Sequence, residues 1–237
     1  VVENIRKSFA KSNVQVDKFI HSALASGLSC LPDIVRKNGG IIFDMGSHIT
    51  SFCIFLEGKA LYTNYIPLGS HLITTDIAKI FSFDNHIAEK LKIMFGKVGV
   101  TQDANQLIDL SILTNHYPKD INVTMGEVSN IIDARLTEIV QIIKAQYDLI
   151  NVNSVIAKNI YITGGGSQMQ GIEVIFKRIF KRLVYKSRLN TTIDHHNDKD
   201  IALATCLGIA HLKDNRFKQE GNKTLVIKVL EWMKANI

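Results

Sequence analysis

The clearest chemical motif of the chain is an aspartate followed by a turn of small residues. Ile41 to Phe43 form a short apolar run with β-branched character, which predicts a buried strand. Asp44 follows at its carboxyl end, and the turn continues to His48. Backbone N–H groups in such a turn can converge on a phosphate oxygen, and the carboxylate can hold a hydrated magnesium ion. Because an Asp-x-Gly turn is also common in plain hairpins, the motif alone leaves both interpretations open.

A second candidate site is the run of three glycines at Gly164–Gly166. It directly follows Asn159–Thr163, whose sequence NIYIT predicts another short strand. Three successive residues without a Cβ let a flat or bulky ligand lie against the backbone, or let two backbones pack closely. The sequence leaves these two alternatives open.

A pair of opposite charges, Glu89 and Lys92, lies on one predicted helix. Asp84 is a suitable N-cap for this helix, and Leu91 and Met94 are expected to face inward. The i, i+3 spacing places both charges on one face of the helix. On its own, such a pair is typical of a solvated helix surface.

The strand that ends at Asp44 is expected to belong to a meander of three strands. Alternating side chains predict the second strand over Thr50–Phe55. Glu57-Gly58 is a hairpin turn signal, and Ala60–Ile66 then forms the third strand. The aspartate and its turn are therefore held between two strands at the edge of a sheet.

Other elements follow from local signals further along the chain. Thr124 and Glu127 form a capping box, which begins a helix running to about Tyr147. Val14–Ile20 has the composition of a strand, and Leu107–Leu113 is interpreted as an edge strand.

Length and composition indicate an ordinary globular protein with a basic surface. The chain has 237 residues, a net charge of +6 and 46% hydrophobic residues. Excess base suits nucleic acid, anionic lipid or an acidic protein, but no Lys/Arg run is long enough for a nucleic-acid arm, so we expect no nucleic-acid partner. Three widely spaced cysteines indicate a reducing cytosol, and no apolar run approaches the ~20 residues of a membrane span.

The last segment, residues 224–237, follows a polar linker and is predicted to be an amphipathic helix. Its apolar face includes Leu225, Val229, Trp232 and Met233, and Lys228 and Lys234 lie on the opposite face. A Trp with flanking lysines suits an in-plane lipid anchor, which combines apolar burial with attraction to anionic head groups. A terminal helix docked on the body of the protein is the alternative, and the sequence favours neither.

The order of these motifs resembles the second half of the actin/Hsp70-like ATPase fold, which is α/β and ribonuclease H-like, and within it the bacterial FtsA family of cell-division proteins. The motifs are DMGSHIT, IPLG, TTDIA, AEKLKIMFG, NIYITGGGSQMQGI and the terminal helix. The resemblance implies an inserted small α/β subdomain and a C-terminal amphipathic helix. The implied units are residues 1–37 (end of the first subdomain), 38–75 and 152–212 (second core subdomain), 76–151 (inserted outer subdomain), 213–223 (linker) and 224–237 (membrane-targeting helix).

The resemblance also implies roles for individual residues. Asp44 matches the acidic residue of the second phosphate loop, which contacts magnesium through water. Arg135, on the long helix, matches a basic position of the outer subdomain and can pair with the acidic C-terminal peptide of FtsZ. The other matching residues are Gly46, Ser47 and His48 in the phosphate-binding turn, Glu89 and Lys92 at the ribose and adenine, and Gly164, Gly165 and Gly166 in the adenosine loop.

The chain departs from the family pattern in ways that bear on ATP binding. His48 and Ile49 replace a glycine and a threonine of the usual phosphate turn, and a Cβ at each position is expected to crowd the phosphate. The first phosphate loop and the first subdomain would lie upstream of Val1. We therefore expect weak or no binding of ATP with magnesium by this chain alone, and no significant catalysis.

The function that the resemblance implies is that of an adaptor. It would anchor the FtsZ ring to anionic lipids at the cytoplasmic face of the inner membrane, at the septum, as a peripheral and self-associating protein. The alternatives are an actin-fold ATPase or sugar kinase, for which no catalytic base can be placed, and a pilus-assembly actin homologue, against which the terminal helix argues.

Overall fold

The computed structural model describes residues 2–99, 103–114, 121–150, 159–189 and 198–214. Five strands form one mixed sheet in the order β3-β2-β1-β4-β5. The first three strands pair antiparallel, and β4 and β5 continue the sheet parallel to β1. The strands are β1 (Gly40–Met45), β2 (Thr50–Leu56), β3 (Lys59–Ile66), β4 (Asn159–Thr163) and β5 (Leu183–Lys186).

Helices cover both faces of this sheet. The α-helices are α1 (Val2–Lys11), α2 (Ser22–Cys30), α3 (Asp33–Asn38), α4 (His71–Phe81), α5 (Asn85–Phe95), α6 (Met125–Asp148), α7 (Ile172–Phe180) and α8 (Ala204–Asp214). Short 3₁₀ helices occur at Leu110–Ile112, Gly165–Gln168 and Asp198–Leu203. The predicted three-strand meander, the predicted strand Asn159–Thr163 and the capping box are confirmed.

The central strand β1 contributes to a different core on each face. Ile41 and Phe43 point into the larger core, which includes buried residues of α4, α5, α6 and α7. Ile42 points into a smaller core with α2 and with Ala204 of α8. Since β1 is buried on both faces, its continuous apolar sequence is explained by its central position rather than by simple alternation.

Helices α2 and α8 pack closely because both are rich in small residues. A Cβ on Gly208 of α8 would lie only 1.7 Å from the carbonyl oxygen of Ala25 in α2. This contact brings hydroxyl groups of both helices over the end of β1. The packing of α2 against β1 also places residues 22–30 on the sheet. The subdomain boundaries that the resemblance implies stay a prediction.

Two strand predictions are wrong. In place of the edge strand, Leu107 forms only an isolated bridge with Thr124. A 3₁₀ helix follows at Leu110–Ile112, and the side chain of Asp109 caps it by accepting a hydrogen bond from the N–H of Ser111. Val14–Ile20 is irregular, because its apolar residues have no strand beside them among the described residues.

The inward face predicted for α5 is partly wrong. Leu91 is buried, as expected, but Met94 is exposed, and Lys92 is buried in its place. The polar linker beyond residue 214, the amphipathic segment 224–237 and its residues Leu225, Val229, Trp232, Met233, Lys228 and Lys234 lie outside the described residues. No helix in the described ranges is both long and apolar enough to cross a bilayer.

The fold predicts a sharp contrast in thiol reactivity. Cys206 is exposed, whereas Cys30 and Cys53 are buried. Burial raises the pKa of Cys53 to about 12 and is the main reason that the pKa of Cys30 is raised, so neither forms the reactive thiolate at mildly alkaline pH. In the native protein, we expect a chromogenic disulfide reagent to modify one thiol rapidly, and all three after denaturation. Cys206→Ser should remove the rapid phase, and a rapid phase that persists in this variant would contradict the described packing.

Candidate phosphate-binding edge

The turn after β1 presents free backbone donors to the solvent. The N–H of Gly46 donates to the carbonyl of Ile49 at 2.9 Å, which closes the turn. Ser47, His48 and Ile49 are exposed. Within the part of the chain that the structure describes, no group accepts a hydrogen bond from the N–H of Ser47 or His48. An anion such as a phosphate oxygen can therefore accept from this turn without displacing a native contact.

The departures from the glycine-rich pattern are accommodated without backbone strain. Neither His48 nor Ile49, both in the described part of the chain, has a positive φ. The imidazole of His48 instead stacks on that of His71, the first residue of α4, with ring centroids 4.7 Å apart. The side chains of His48 and Ile49 can therefore still crowd a phosphate, but they do not strain the backbone of the turn.

Asp44 is held by hydroxyl groups from two helices. Its carboxylate oxygen Oδ2 lies 2.5 Å from Ser26 Oγ in α2 and 3.0 Å from Thr205 Oγ1 in α8. Only 9% of the residue is exposed. Neither hydroxyl partner was predicted from the sequence. A carboxylate that is fixed in this way keeps one orientation at the end of β1.

The glycine run meets β1 because β4 pairs with it in parallel. The register places Asp44 opposite Thr163, so both strands end at the same edge of the sheet. Gly164 has a φ of +84°, and a Cβ there would lie 2.5 Å from Asp44 Oδ1. A Cβ on Gly166 would lie 2.7 Å from the Met45 side chain. These two glycines therefore allow close packing of two backbones.

Gly165, in contrast, leaves room for a ligand. It is exposed, and a Cβ built on it meets nothing within 4 Å. The space above Gly165 is open to a ligand, beside the turn that carries the free N–H groups. The two alternatives that the sequence left open therefore apply to different glycines of one loop.

Glu89 and Lys92 are not a solvated pair. The Lys92 side chain is 7% exposed and that of Glu89 is 42% exposed, and Nζ lies 2.7 Å from Oε2. Thr74 of α4 donates to the same carboxylate oxygen. Burial by itself would raise the pKa of Glu89, but the hydrogen bonds from Lys92 and Thr74 and the charge of Lys92 outweigh it, so the pKa is lowered.

Arg135 is already paired within the protein. Its Nε and Nη2 donate to the two carboxylate oxygens of Asp76 in α4 at 2.5 and 2.9 Å, and its Nη1 donates to Glu138 at 2.5 Å. The hydrogen bond to Asp76 is the main reason that the pKa of Arg135 is raised. A peptide carboxylate that binds here would share the guanidinium with these two acids.

The structure thus brings together most of the residues that the sequence singled out. Asp44, the turn and the glycine run share one edge of the sheet. Glu89 and Lys92 connect to that edge through the start of α4. Lys92 Nζ lies 3.4 Å from the carbonyl oxygen of Ser70, and the N–H of Ser70 donates to the carbonyl of Gly46. The described residues contain no group of three or more His, Cys, Asp or Glu suited to a metal.

The sheet order, the helices on both faces and this edge define an actin-like fold. Among solved structures, MreB5 of Spiroplasma citri bound to AMPPNP has a TM-score of 0.71, with 18% identity over 92% of this chain and 65% of that chain. A chain of the PilM-PilN type IV pilus biogenesis complex has a TM-score of 0.63, with 15% identity over 89% and 56%. These likenesses confirm the α/β, actin-like fold.

Within this class, the chain belongs to the FtsA family, since the family model for the cell division protein FtsA matches residues 41–208. FtsA of Agrobacterium fabrum is 28% identical over 185 residues, which is 77% of this chain and 42% of the relative. FtsA of Borreliella burgdorferi is 26% identical over 232 residues, or 96% and 55%. The chain therefore spans about half the length of these relatives.

Two adjacent glycines provide a matched test of this geometry. Gly164→Ala should lower the free energy of unfolding by roughly 2–4 kcal/mol, because the new Cβ meets the Asp44 carboxylate and the backbone is strained at positive φ. Gly165→Ala should lower it by less than about 1 kcal/mol, because its Cβ enters open space. Urea unfolding measures both values. Equal effects of the two substitutions would contradict the described contact between the glycine loop and β1.

Proposed function

We propose that this chain acts in cell division as an adaptor that attaches the FtsZ ring to the cytoplasmic face of the inner membrane. The observation that carries the proposal is membership of the FtsA family over residues 41–208. The adaptor is peripheral: it binds the lipid surface through an in-plane segment. We place it at the septum, with the FtsZ C-terminal peptide and anionic lipids as its partners.

The lipid contact is assigned to residues 224–237. Trp232 and Met233 belong to the predicted apolar face of this segment, and Lys228 and Lys234 supply positive charge on the predicted opposite face. Burial of the apolar face and attraction of the lysines to anionic head groups would act together. A single in-plane helix binds weakly, so self-association of the protein would strengthen attachment by multivalency.

The filament contact is assigned to the outer helices, which include α6. The FtsZ peptide is acidic in this proposal, and Arg135 remains the candidate cation. Because Asp76 and Glu138 already hold its guanidinium, the peptide would compete with or join an existing ion-pair network. Such a partly exposed network gives specificity and orientation rather than high affinity.

The third proposed role is weak nucleotide binding at the edge formed by β1 and β4. The MreB5 structures are bound to AMPPNP and to ADP, which supports nucleotide binding by a protein of this fold. In this chain, the free N–H groups of Ser47 and His48 would hold a phosphate, and Gly165 would leave room for the nucleoside. Asp44 would orient a hydrated magnesium ion. We assign no catalytic residue and propose no significant hydrolysis.

Vesicle binding tests the adaptor proposal. Met233→Glu introduces a negative charge on the apolar face of the terminal segment, and Ala235→Glu introduces the same charge two residues away, on the polar face. In co-sedimentation with vesicles that contain phosphatidylglycerol, Met233→Glu should weaken binding by more than about tenfold, because apolar burial and electrostatic attraction are both lost. Ala235→Glu should weaken it by about fivefold or less, because only electrostatic attraction is reduced.

Removal of residues 224–237 should abolish vesicle binding. Binding that survives this deletion, or equal effects of the two glutamate substitutions, would overturn the membrane part of the proposal. Vesicles of phosphatidylcholine alone provide the control for the contribution of anionic head groups.

A further inference from the structure

The ammonium group of Lys92 is buried and fully bonded inside the protein. Its Nζ lies 2.7 Å from Glu89 Oε2, 2.9 Å from Thr74 Oγ1 and 3.4 Å from the carbonyl oxygen of Ser70. An ammonium group has three N–H donors, and three acceptors are present. No donor is left for a ligand, and the 7% exposure of the side chain leaves little surface for one to contact.

Two of these acceptors belong to the start of α4. Ser70 is the residue before the helix, and Thr74 lies in its first turn. Lys92 therefore links α5 to the first turn of α4 by charge-assisted hydrogen bonds, which are stronger than neutral ones. Opening of this junction would remove two of the three acceptors from the buried ammonium group and leave it only Glu89, on its own helix, which makes opening unfavourable.

The start of α4 in turn holds the phosphate turn. The N–H of Ser70 donates to the carbonyl of Gly46 at 3.0 Å, and the N–H of His71 donates to that of Ser47 at 2.8 Å. A Cβ on Gly69 would lie 2.4 Å from the Ser47 carbonyl oxygen, so the two segments are in direct contact. The stacking of His48 on His71 adds a side-chain contact across the same junction.

We propose that Lys92 is a positioning residue of the phosphate turn and not a contact to the nucleoside. It fixes the first turn of α4, and that turn fixes the carbonyls of Gly46 and Ser47 and thereby the outward N–H groups beside them. The proposal rests on the nucleotide-binding role proposed above, and it departs from the ribose and adenine contact that the family resemblance implies for Lys92. Of the pair, the half-exposed Glu89 is the residue that remains available to a ligand.

Amide hydrogen exchange in the nucleotide-free chain of 237 residues tests the link directly. Lys92→Met keeps the length of the side chain and removes its charge and its donors. We expect the Ser70 and His71 amides to exchange about tenfold faster in this variant, because local opening of the junction becomes easier. Lys90→Met is the matched control, since Lys90 lies on the same helix but donates to the carbonyl of Leu113. It should leave both exchange rates within about twofold of the unmodified protein.

A purely structural role predicts a different pattern. If Lys92 contributed only to overall stability, Lys92→Met would accelerate exchange throughout the core in proportion to the loss of global stability, and that result would overturn the proposal. The imidazole proton shifts of His48 and His71 give a second signature, because loss of the stack removes their mutual ring-current shift. We expect these shifts to move towards unstacked values in Lys92→Met and to stay unchanged in Lys90→Met.

Thr74 provides a second variant that keeps the charge in place. Thr74→Val removes the hydroxyl that Lys92 contacts, whereas Thr74→Ser retains it. Exchange at Ser70 and His71 should be faster in Thr74→Val and near normal in Thr74→Ser. Equal rates in both variants would overturn the proposal.

A titration with Mg-ADP separates this proposal from the nucleotide-binding proposal. If Lys92→Met abolished a measurable response to Mg-ADP without any change in amide exchange, Lys92 would be a nucleotide contact and the positioning role would be wrong. If no variant, including the unmodified chain, responded to Mg-ADP, the nucleotide-binding proposal would fail while the exchange data would still decide the role of Lys92.

Discussion

The carboxylate of Asp44 is fixed at the end of β1, and the arrangement of the candidate site follows from the contacts that hold it. Two hydroxyl groups from α2 and α8 hold its Oδ2, and Gly164 lies against its other oxygen. This arrangement requires close packing of two small-residue helices on one face of the sheet and parallel pairing of β1 with β4. The candidate site is thus a consequence of how the sheet is assembled, because no single loop could supply it.

Local sequence patterns predicted most elements, but not the backbone at Val14–Ile20 and Leu107–Leu113, and they did not predict the contacts between elements. The three-strand meander and the Thr124–Glu127 capping box follow from alternation, a turn signal and a four-residue motif. The partners of Asp44 could not be predicted, because Ser26 and Thr205 are 179 residues apart and meet only through helix packing. The burial of Lys92 could not be predicted either, because the i, i+3 spacing of a charge pair gives no sign that Thr74 and Ser70, at the start of another helix, contact the lysine.

The departures at His48 and Ile49 show how a motif can change while its geometry is kept. Neither residue requires a positive φ, and the His48 ring packs on His71 at the start of α4. Several contacts therefore hold the phosphate turn on α4: two backbone hydrogen bonds, the close approach of Gly69 and this stack. In the adaptor that we propose, this edge would face a nucleotide, while residues 224–237 would supply the lipid contact.

We expect the turn after β1 and the glycine loop after β4 to act together as one nucleotide-facing edge. The most direct measurement is a titration of the isotopically labelled chain with millimolar Mg-ADP, followed by its amide resonances. We expect weak binding in fast exchange, with the largest shifts at Gly46–Ile49 and Gly164–Gly166 together, and smaller shifts for the Asp44→Asn variant. Shifts confined to other parts of the sheet, or none at either segment, would contradict it.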